Sequence, residues 1–226
     1  MTDLIDTTEM YLRTILELEE EGHTPMRARI SERLDHSGPT VSETIARMEK
    51  HGLVTLTSDR HLELSAEGRN LAIEVMRKHR LAELLLADVI GLEWHLVHEE
   101  ACRWEHVMSE QVERKILELV SDVERSPFGN PIPGLELLGR GPSVFLDEEV
   151  VPLIEVLDTE VEIVRIAEPL QSYPDALAHL AAAQILPNAK VKATQALDRI
   201  QLATLDGQNT LSLTAFDVAH IFVKPL

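Results

Sequence analysis

The stretch Asp35-His-Ser37-Gly-Pro39-Thr-Val41 decides the fold of the first third of the chain. Ser37 is a favoured N-cap and Pro39 suits the first turn of a helix, so the stretch predicts a turn that runs into a helix ending near His51. Residues 27–34, just before the turn, predict another short helix from the spacing of their apolar side chains. Two helices joined by such a turn are the central feature of a helix-turn-helix.

The residues on either side of this pair extend the pattern. Residues 3–21 predict a first helix, which Gly22 ends. Residues 53–57 and 61–64 alternate with a period of two around Ser58-Asp59-Arg60, which predicts a β-hairpin. The order helix, helix, turn, helix, hairpin is that of a winged helix-turn-helix, a domain that reads DNA.

A helical region follows the hairpin. Three helices are predicted, from about Ala66 to Ile90, from Trp94 to Met108 and from Ser109 to Val123. The end of the first of them carries more apolar side chains than a small domain needs for its own core. These residues predict an interface between subunits, and hence a homodimer: Leu81, Leu84, Leu85 and Val89.

The last part of the chain changes to short strands. They are predicted at Val161–Ala167, Ala189–Thr194, Ile200–Leu205, Thr210–Leu213 and Ile221–Val223, with a helix at about Pro174–Ala183. This β-rich pattern predicts a small SH3-like barrel, a fold that binds proline-rich segments. Residues 127–133 form such a segment, so we expect the barrel to bind its own chain there.

Metal-ligating residue types cluster on the second of the three helices, in His98-Glu-Glu-Ala-Cys102-Arg-Trp-Glu105-His106. At 3.6 residues per turn, the offsets of four, seven and eight from His98 put these donors on one side of the helix. His, Cys and Glu ligate divalent transition metals. His79 and Glu83 repeat the offset of four on the preceding helix, so two packed helices would build a metal site.

Composition narrows the class of protein. The 226 residues, 44% of them hydrophobic, suffice for more than one domain. No apolar run approaches the roughly 20 residues that span a bilayer, and residues 1–6 lack the basic-then-apolar pattern of a signal peptide. The single cysteine excludes an internal disulfide. We therefore expect a cytoplasmic protein without a membrane partner.

The net charge of −18 is distributed unevenly. Residues 22–60 hold six basic and five acidic residues, so this window carries +1 and the rest of the chain −19. DNA binders usually present a basic patch, and an acidic protein with one locally basic face binds DNA weakly until something adds positive charge or organises that face. Bound divalent cations would do both, so we expect metal to control DNA binding.

Five segments of the chain resemble one family closely. They are Asp6-Thr-Thr-Glu-Met-Tyr-Leu-Arg-Thr14, Ser37-Gly-Pro-Thr-Val41, Val75-Met-Arg-Lys-His-Arg-Leu-Ala-Glu83, His98-Glu-Glu-Ala-Cys-Arg-Trp-Glu-His-Val-Met-Ser109 and Ser126-Pro-Phe-Gly-Asn-Pro-Ile-Pro-Gly134. They look like the diphtheria toxin repressor and iron-dependent regulator family of actinobacteria, closely over residues 1–141 and more loosely over 142–226. The resemblance implies transcriptional repression by Fe(II)-activated homodimers on palindromic double-stranded operator DNA.

The resemblance also implies a mainly α fold with β and a division into domains. Residues 1–73 would form the winged helix-turn-helix domain and residues 74–140 a helical dimerisation and metal-binding domain. Residues 141–150 would form a linker, and residues 151–226 the SH3-like domain.

Two Fe(II) sites per subunit follow from the resemblance, residue by residue. The activating site would use Met10, Cys102 through its backbone carbonyl, Glu105 and His106. The ancillary site would use His79, Glu83 and His98, completed by Glu168 and Gln171 of Glu168-Pro-Leu-Gln171. An anion site beside it would use Arg80, Ser126 and Asn130. Co(II), Ni(II), Zn(II), Mn(II) and Cd(II) are the expected surrogates for Fe(II).

The recognition helix and the wing predict the DNA contacts. Residues that open the helix can touch phosphate or base methyl groups, and the wing tip can enter a minor groove. The predicted contacts are Arg27, Ser37, Pro39, Thr40, Ser42, Glu43, Arg47, Lys50 and Arg60. At Glu43 the family has Gln. A carboxylate cannot donate to adenine and repels phosphate, so operator preference is expected to differ.

Two alternatives compete with an iron-activated repressor. A metalloenzyme could use the same clusters to activate water, although it would leave the helix-turn-helix unexplained. A manganese-responsive regulator of the same architecture would favour oxygen ligands, and Met10 with Cys102 argues for iron instead.

Overall fold

The computed structural model describes residues 2–141 and 149–226. Residues 142–148, which make up most of the predicted linker, lie outside the described residues. The chain divides into two compact units, Met1–Lys78 with Glu105–Val107 and His79–Trp104 with Met108–Leu226. Among the described residues, no helix combines the length and the apolar character needed to cross a bilayer.

The first unit contains three helices, a hairpin and the start of a fourth helix. In chain order the elements are α1 (Thr2–Glu20), α2 (Arg27–Leu34), α3 (Gly38–Lys50), β1 (Val54–Leu56), β2 (Leu62–Leu64) and α4 (Ala66–Leu84). Val41, Ile45 and Met48 recur at helical spacing on α3 and are buried in the core of this unit. The predicted winged helix-turn-helix order is confirmed.

The predicted cap starts the recognition helix α3. The Ser37 side chain accepts a hydrogen bond from the backbone N–H of Thr40 at 3.3 Å, which satisfies one of the orphan donors of the first turn. Asp35 ends α2 with φ +51°, a left-handed conformation that Asp tolerates better than most residues. These two residues fix the turn between α2 and α3.

The second unit begins with helical elements. They are the end of α4, a π-helical segment (Leu85–Ile90), a short 3₁₀-helix (Trp94–Leu96), α5 (Val97–Trp104), α6 (Glu110–Leu119) and a 3₁₀-helix (Leu135–Leu138). The predicted helix from Ala66 to Ile90 therefore changes from α to π near its end. The helix predicted from Trp94 to Met108 starts as a 3₁₀ turn and stops at Trp104, four residues early.

An antiparallel sheet completes the second unit. Its elements are β3 (Val151–Pro152), a 3₁₀ turn (Leu153–Glu155), β4 (Glu160–Ile166), α7 (Glu168–Gln171), α8 (Pro174–Ala182), β5 (Lys190–Ala196), β6 (Arg199–Thr204), β7 (Thr210–Leu213), α9 (Ala215–Ala219) and β8 (Ile221–Pro225). The six strands lie in the order β3-β8-β4-β5-β6-β7. The five predicted strands are confirmed within one or two residues, whereas β3, α7 and α9 were not predicted. Closure of this sheet into a barrel stays a prediction.

The segment Ser126–Gly134 runs beside the end of β4. The backbone N–H of Ile166 donates to the carbonyl oxygen of Phe128 at 2.8 Å, and the Asn130 amide donates to the carbonyl of Ile166 at 2.7 Å. Gly129 has φ +83°, and a Cβ there would lie 2.0 Å from the carbonyl oxygen of Val164. Only glycine fits this close approach.

Candidate metal centres

Three predicted ancillary ligands meet inside the second unit. His79 and Glu83 lie one turn apart on α4, and His98 lies on α5. Nε2 of His79 is 2.9 Å from Oε1 of Glu83 and 3.1 Å from Nδ1 of His98, and that Nδ1 is 3.4 Å from the same Glu83 oxygen. The three donor atoms thus form a triangle with sides near 3 Å, a separation typical of atoms that share one metal ion. We call these three residues the buried triad.

Burial and charge act together on the buried triad. Burial acts to raise the pKa of Glu83, but His79 and His98 outweigh it and hold that pKa well below its usual value. Burial acts to lower the pKa of His98, but the neighbouring Cys102 and Glu83 outweigh it and raise that pKa to about 9. At neutral pH the triad therefore holds a charged Glu83 carboxylate beside a protonated His98, whose proton a bound cation would displace.

Two buried oxygen atoms have no hydrogen-bond partner among the described residues: Oε2 of Glu83, a member of the triad, and Oε1 of Gln171 on α7. A buried acceptor without a partner costs about 1–3 kcal/mol, so such atoms call for an explanation. The Gln171 amide nitrogen donates to the carbonyl of Ile166 at 2.7 Å, which leaves the amide oxygen free to accept or ligate. Imidazole nitrogen and carboxylate or amide oxygen are a suitable donor set for a divalent cation.

Glu168, a predicted ligand of the ancillary site, is paired with Arg80 in this structure. Its carboxylate accepts hydrogen bonds from Nε and Nη2 of Arg80 at 3.1 and 2.7 Å. Burial acts to raise the pKa of Glu168, but the Arg80 guanidinium outweighs it, so the carboxylate stays charged with a lowered pKa. The charges of Glu83 and His79 also act on this carboxylate.

The predicted anion residues are also engaged inside the protein. Arg80 is fully buried, and its Nη1 donates to the carbonyl of Pro131 at 2.6 Å. Ser126 Oγ accepts from the backbone N–H of Phe128 at 3.3 Å, and the Asn130 amide bonds to Ile166. All three residues thus support the segment Ser126–Gly134 next to β4.

Cys102 presents its side chain to the buried triad. Its Sγ lies 3.6 Å from Nε2 of His98, and one donor atom from each of His79, His98 and Cys102 lies within 4.8 Å of the others. The sequence had assigned Cys102 to the activating site through its carbonyl group. The offset of four had also placed Cys102 on the side of the helix that carries His98, and the position of its side chain agrees with that spacing.

The other predicted ligands of the activating site belong to the first unit. Met10 is half-buried on α1, and Glu105 and His106 lie in the turn that follows α5. Oε1 of Glu105 is 3.2 Å from Nε2 of His106, so these two donors face each other. Their other polar atoms contact α1: Nδ1 of His106 lies 2.7 Å from the Glu9 carboxylate, and Arg13 donates to Oε2 of Glu105.

The predicted DNA contacts lie on the surface of the first unit. All nine are half-buried or exposed: Arg27, Ser37, Pro39, Thr40, Ser42, Glu43, Arg47, Lys50 and Arg60. Arg60 is at the tip of the hairpin with φ +69°. His36, which the sequence analysis left without a role, is held by the buried Tyr11, whose hydroxyl lies 2.9 Å from its Nδ1.

Family models match two adjacent parts of the chain. Residues 3–62 match the N-terminal DNA-binding domain of iron-dependent repressors, and residues 65–134 match their metal-binding and dimerisation domain. The diphtheria toxin repressor of Corynebacterium diphtheriae is 54% identical over 227 residues, covering 98% of this chain and 95% of that protein. The chain belongs to the iron-dependent repressor family.

Other members and structures agree with this assignment. The iron-dependent repressor IdeR of Mycobacterium tuberculosis is 57% identical over 195 residues, covering 84% of this chain and 85% of that protein. A manganese-dependent transcriptional repressor in complex with manganese superimposes with a TM-score of 0.80 at 25% identity, over 97% of this chain and 100% of that chain. The predicted family, the helical DNA-binding and dimerisation regions and the β-rich C-terminal region are confirmed.

Membership of this family also decides the class of function. The chain is a metal-dependent DNA-binding repressor with a dimerisation domain, and not an enzyme. The metalloenzyme alternative is therefore wrong.

Proposed function

We propose that the protein is a homodimeric repressor activated by Fe(II), with two metal sites per subunit. The proposal rests on the buried triad, whose donor atoms lie within 3.4 Å of one another, and on two buried oxygens without hydrogen-bond partners, Oε2 of Glu83 and Oε1 of Gln171. A cation there would satisfy those oxygens and neutralise the Glu83 carboxylate. Glu168 and Gln171 would complete this ancillary site, with Glu168 leaving Arg80 to do so. The family's anion would then take its place at Arg80, Ser126 and Asn130.

The activating site would consist of Met10, Cys102, Glu105 and His106. A thioether, a carboxylate and an imidazole make a borderline-soft set, which suits Fe(II), with Co(II) and Ni(II) as good surrogates. Zn(II), Mn(II) and Cd(II) would also bind, so selection of Fe(II) would depend partly on metal supply. The bound cation would supply positive charge and a fixed point on α1.

The residues of the first unit would then read the operator. Ser37, Pro39 and Thr40 would enter the major groove, while Arg27, Arg47 and Lys50 would contact phosphates. Arg60 would approach the minor groove from the wing. Two subunits would match half-sites about one DNA turn apart. Since the operator is chromosomal, the protein would act in the cytoplasm.

The proposal also assigns a dimer interface and a ligand of the β-rich region. Leu81 and Leu84 are buried within the subunit, whereas Val89 is 48% exposed at the end of the π-helical segment. Val89 and its neighbours would form the dimer interface. The hydrogen bonds that Phe128 and Asn130 make with Ile166 support residues 127–133 as an internal ligand of the SH3-like domain.

The second candidate is a manganese-responsive repressor of the same architecture. It is favoured by the likeness to the manganese-bound repressor structure. Against it stands Met10, because Mn(II) prefers oxygen ligands to a thioether.

Operator binding under anoxic conditions tests the proposal. We expect a palindromic family-type operator to bind at fixed salt with Fe(II) and not with chelator. Operator binding that is unaffected by chelator would mean that the two clusters of predicted ligands are structural. A response to micromolar Mn(II) without one to Fe(II) would establish the second candidate. Met10→Ala should lose the metal response, and an unchanged response would exclude Met10 as a ligand.

A further inference from the structure

Helix α1 places two charged side chains against the proposed activating ligands. Oε2 of Glu9 lies 2.7 Å from Nδ1 of His106, and Nη1 of Arg13 donates to Oε2 of Glu105. The remaining donors, Nε2 of His106 and Oε1 of Glu105, are 3.2 Å apart. Each ligand therefore has one polar atom against α1 and the other turned toward its neighbour.

We infer that Glu9 and Arg13 are positioning residues of the activating metal site, an inference that rests on the proposed function. Glu9 accepts the Nδ1–H of His106 and so fixes the tautomer in which Nε2 carries the lone pair. Arg13 holds Oε2 of Glu105, so that Oε1 is turned toward Nε2 of His106, where the cation would bind. Neither residue touches the metal, and each determines which atom of a ligand does.

The two contacts are formed by protein side chains alone. The side chains of Arg13 and Glu105 are 12% and 2% exposed, so their ion pair is largely removed from solvent. Arg13 is also bound to Glu17, one helical turn away, at 2.9 Å. Because carboxylates contact the guanidinium on both sides, protein side chains alone hold Glu105 in place. Preorganised ligands of this kind lose less entropy when a cation binds.

Helical spacing explains why one element can do both tasks. Glu9 and Arg13 are four residues apart and share one face of α1. Met10, the proposed thioether ligand, lies between them in sequence. Helix α1 would therefore supply one ligand and the supports of two others, and the turn Glu105–Val107 belongs to the same compact unit as α1.

The tautomer of His106 tests the inference without any metal. In ¹⁵N spectra of the metal-free protein, assigned with His106→Gln, we expect Nδ1 of His106 to carry a proton that is hydrogen-bonded to Glu9. Glu9→Gln retains an acceptor and should keep this hydrogen bond. Glu9→Leu should lose it. A His106 spectrum unchanged in Glu9→Leu would overturn the role of Glu9.

Cobalt binding tests both residues. The measurements use anoxic Co(II) titrations followed by the d–d absorption bands, in a His79→Gln background that weakens the ancillary site. We expect Glu9→Leu and Arg13→Lys to weaken Co(II) binding by about 10- to 100-fold and to change the bands. Glu9→Gln should recover most of the affinity. Arg13→Lys keeps the positive charge but loses the planar guanidinium with its paired donors. Its effect therefore measures how far the position of Glu105 depends on those donors.

Glu19→Gln is the matched control, because it removes another ion pair of α1, with Arg69 at 2.8 Å. It should leave Co(II) affinity and bands unchanged. If Glu9→Leu and Arg13→Lys also behave as this control does, the two contacts serve only the fold and the inference is wrong. If the parent protein itself binds no Co(II) through His106, the proposed activating site fails instead.

Discussion

At the scale of single residues, Glu43 bears most directly on DNA binding. It is exposed on the recognition helix α3, between Ser42 and the buried Thr44. A carboxylate there repels phosphate and can accept only from a donor such as the amino group of cytosine. Its presence predicts a weaker interaction with the operator that suits a Gln at this position.

Replacing Glu43 with Gln should therefore strengthen binding to a family-type operator. Removing one repulsion per subunit, each worth about 0.5–1 kcal/mol near solvent, predicts a gain of about tenfold for a dimer. Fluorescence anisotropy at fixed salt and fixed Fe(II) measures it. Glu63→Gln, an exposed site on β2, makes the same charge change and should have little effect. Equal gains from both variants would mean that net charge alone is responsible.

The Tyr11 hydroxyl links α1 to His36, which lies in the turn before the recognition helix α3. Burial raises the pKa of this phenol, partly offset by a hydrogen bond with Thr44 and the charge of Arg47. The neutral form is thus favoured in the folded protein. Its contribution to stability is complete below the unfolded pKa of about 10 and is lost as pH rises through the higher folded pKa.

Tyr11→Phe should accordingly lower the free energy of unfolding at pH 8 by about 0.5–1.5 kcal/mol, the usual loss for a hydrogen bond. The difference between the two proteins should shrink at pH 10.5. Urea denaturation of the metal-free proteins at both values measures this. A difference that grew with pH would contradict the raised pKa.

Single residues also mark the limit of what sequence patterns reveal. His79 and Glu83 could be paired from their offset of four, and His98 from the adjacent helix. Glu9 and Arg13 could not be selected, because their partners lie 97 and 92 positions away in the chain. No periodicity links such residues, and only the folded chain brings them together.

At the scale of elements, long periodic segments were predictable and short ones were not. Helix α2 spans the predicted residues, and α3 begins after the predicted cap because Ser37 provides it chemically. Helix α7 has only four residues, too few for a helical period to show. The π-helical segment is likewise invisible, because its apolar residues fit an α-helix equally well.

Gly129 offers a test of how the proline-rich segment packs against β4. Gly129→Ala should destabilise the second unit by more than about 2 kcal/mol, from a positive φ and from the clash with the Val164 carbonyl. Gly139→Ala is the control, since Gly139 has φ +81° and nothing within 4 Å of its added Cβ. It should cost about 1 kcal/mol in urea denaturation. Equal losses would show that the close approach to β4 contributes nothing.

At the scale of the whole molecule, the region with the proposed DNA contacts differs in charge from the rest of the chain. The chain carries −18 overall, yet the four proposed cationic DNA contacts Arg27, Arg47, Lys50 and Arg60 lie within residues 22–60, which carry +1. Such a distribution disfavours binding to DNA in general and leaves the contact residues to determine the affinity.

The salt dependence of operator affinity measures how many of these Arg and Lys side chains contact the DNA. Eight contacts in a dimer predict that log K falls with log salt with a slope of about −7. Lys50→Gln should reduce that slope by about 2, one for each subunit. Anisotropy titrations between 50 and 200 mM salt, roughly the range over which such slopes are resolved, measure both. A slope unchanged by Lys50→Gln would remove this residue from the interface.

The burial of the triad has a consequence for the rate at which metal is released. The side chains of His79 and Glu83 are wholly inaccessible to solvent, whereas those of His106 and Glu9 are 17% and 22% exposed. An ion reaches the triad only when the protein opens, so its departure is limited by that motion. After rapid mixing with chelator, metal release should show a fast phase and a slower one that His79→Gln removes. After the iron supply falls, the ion in the triad would therefore remain bound for longer than the ion in the activating site.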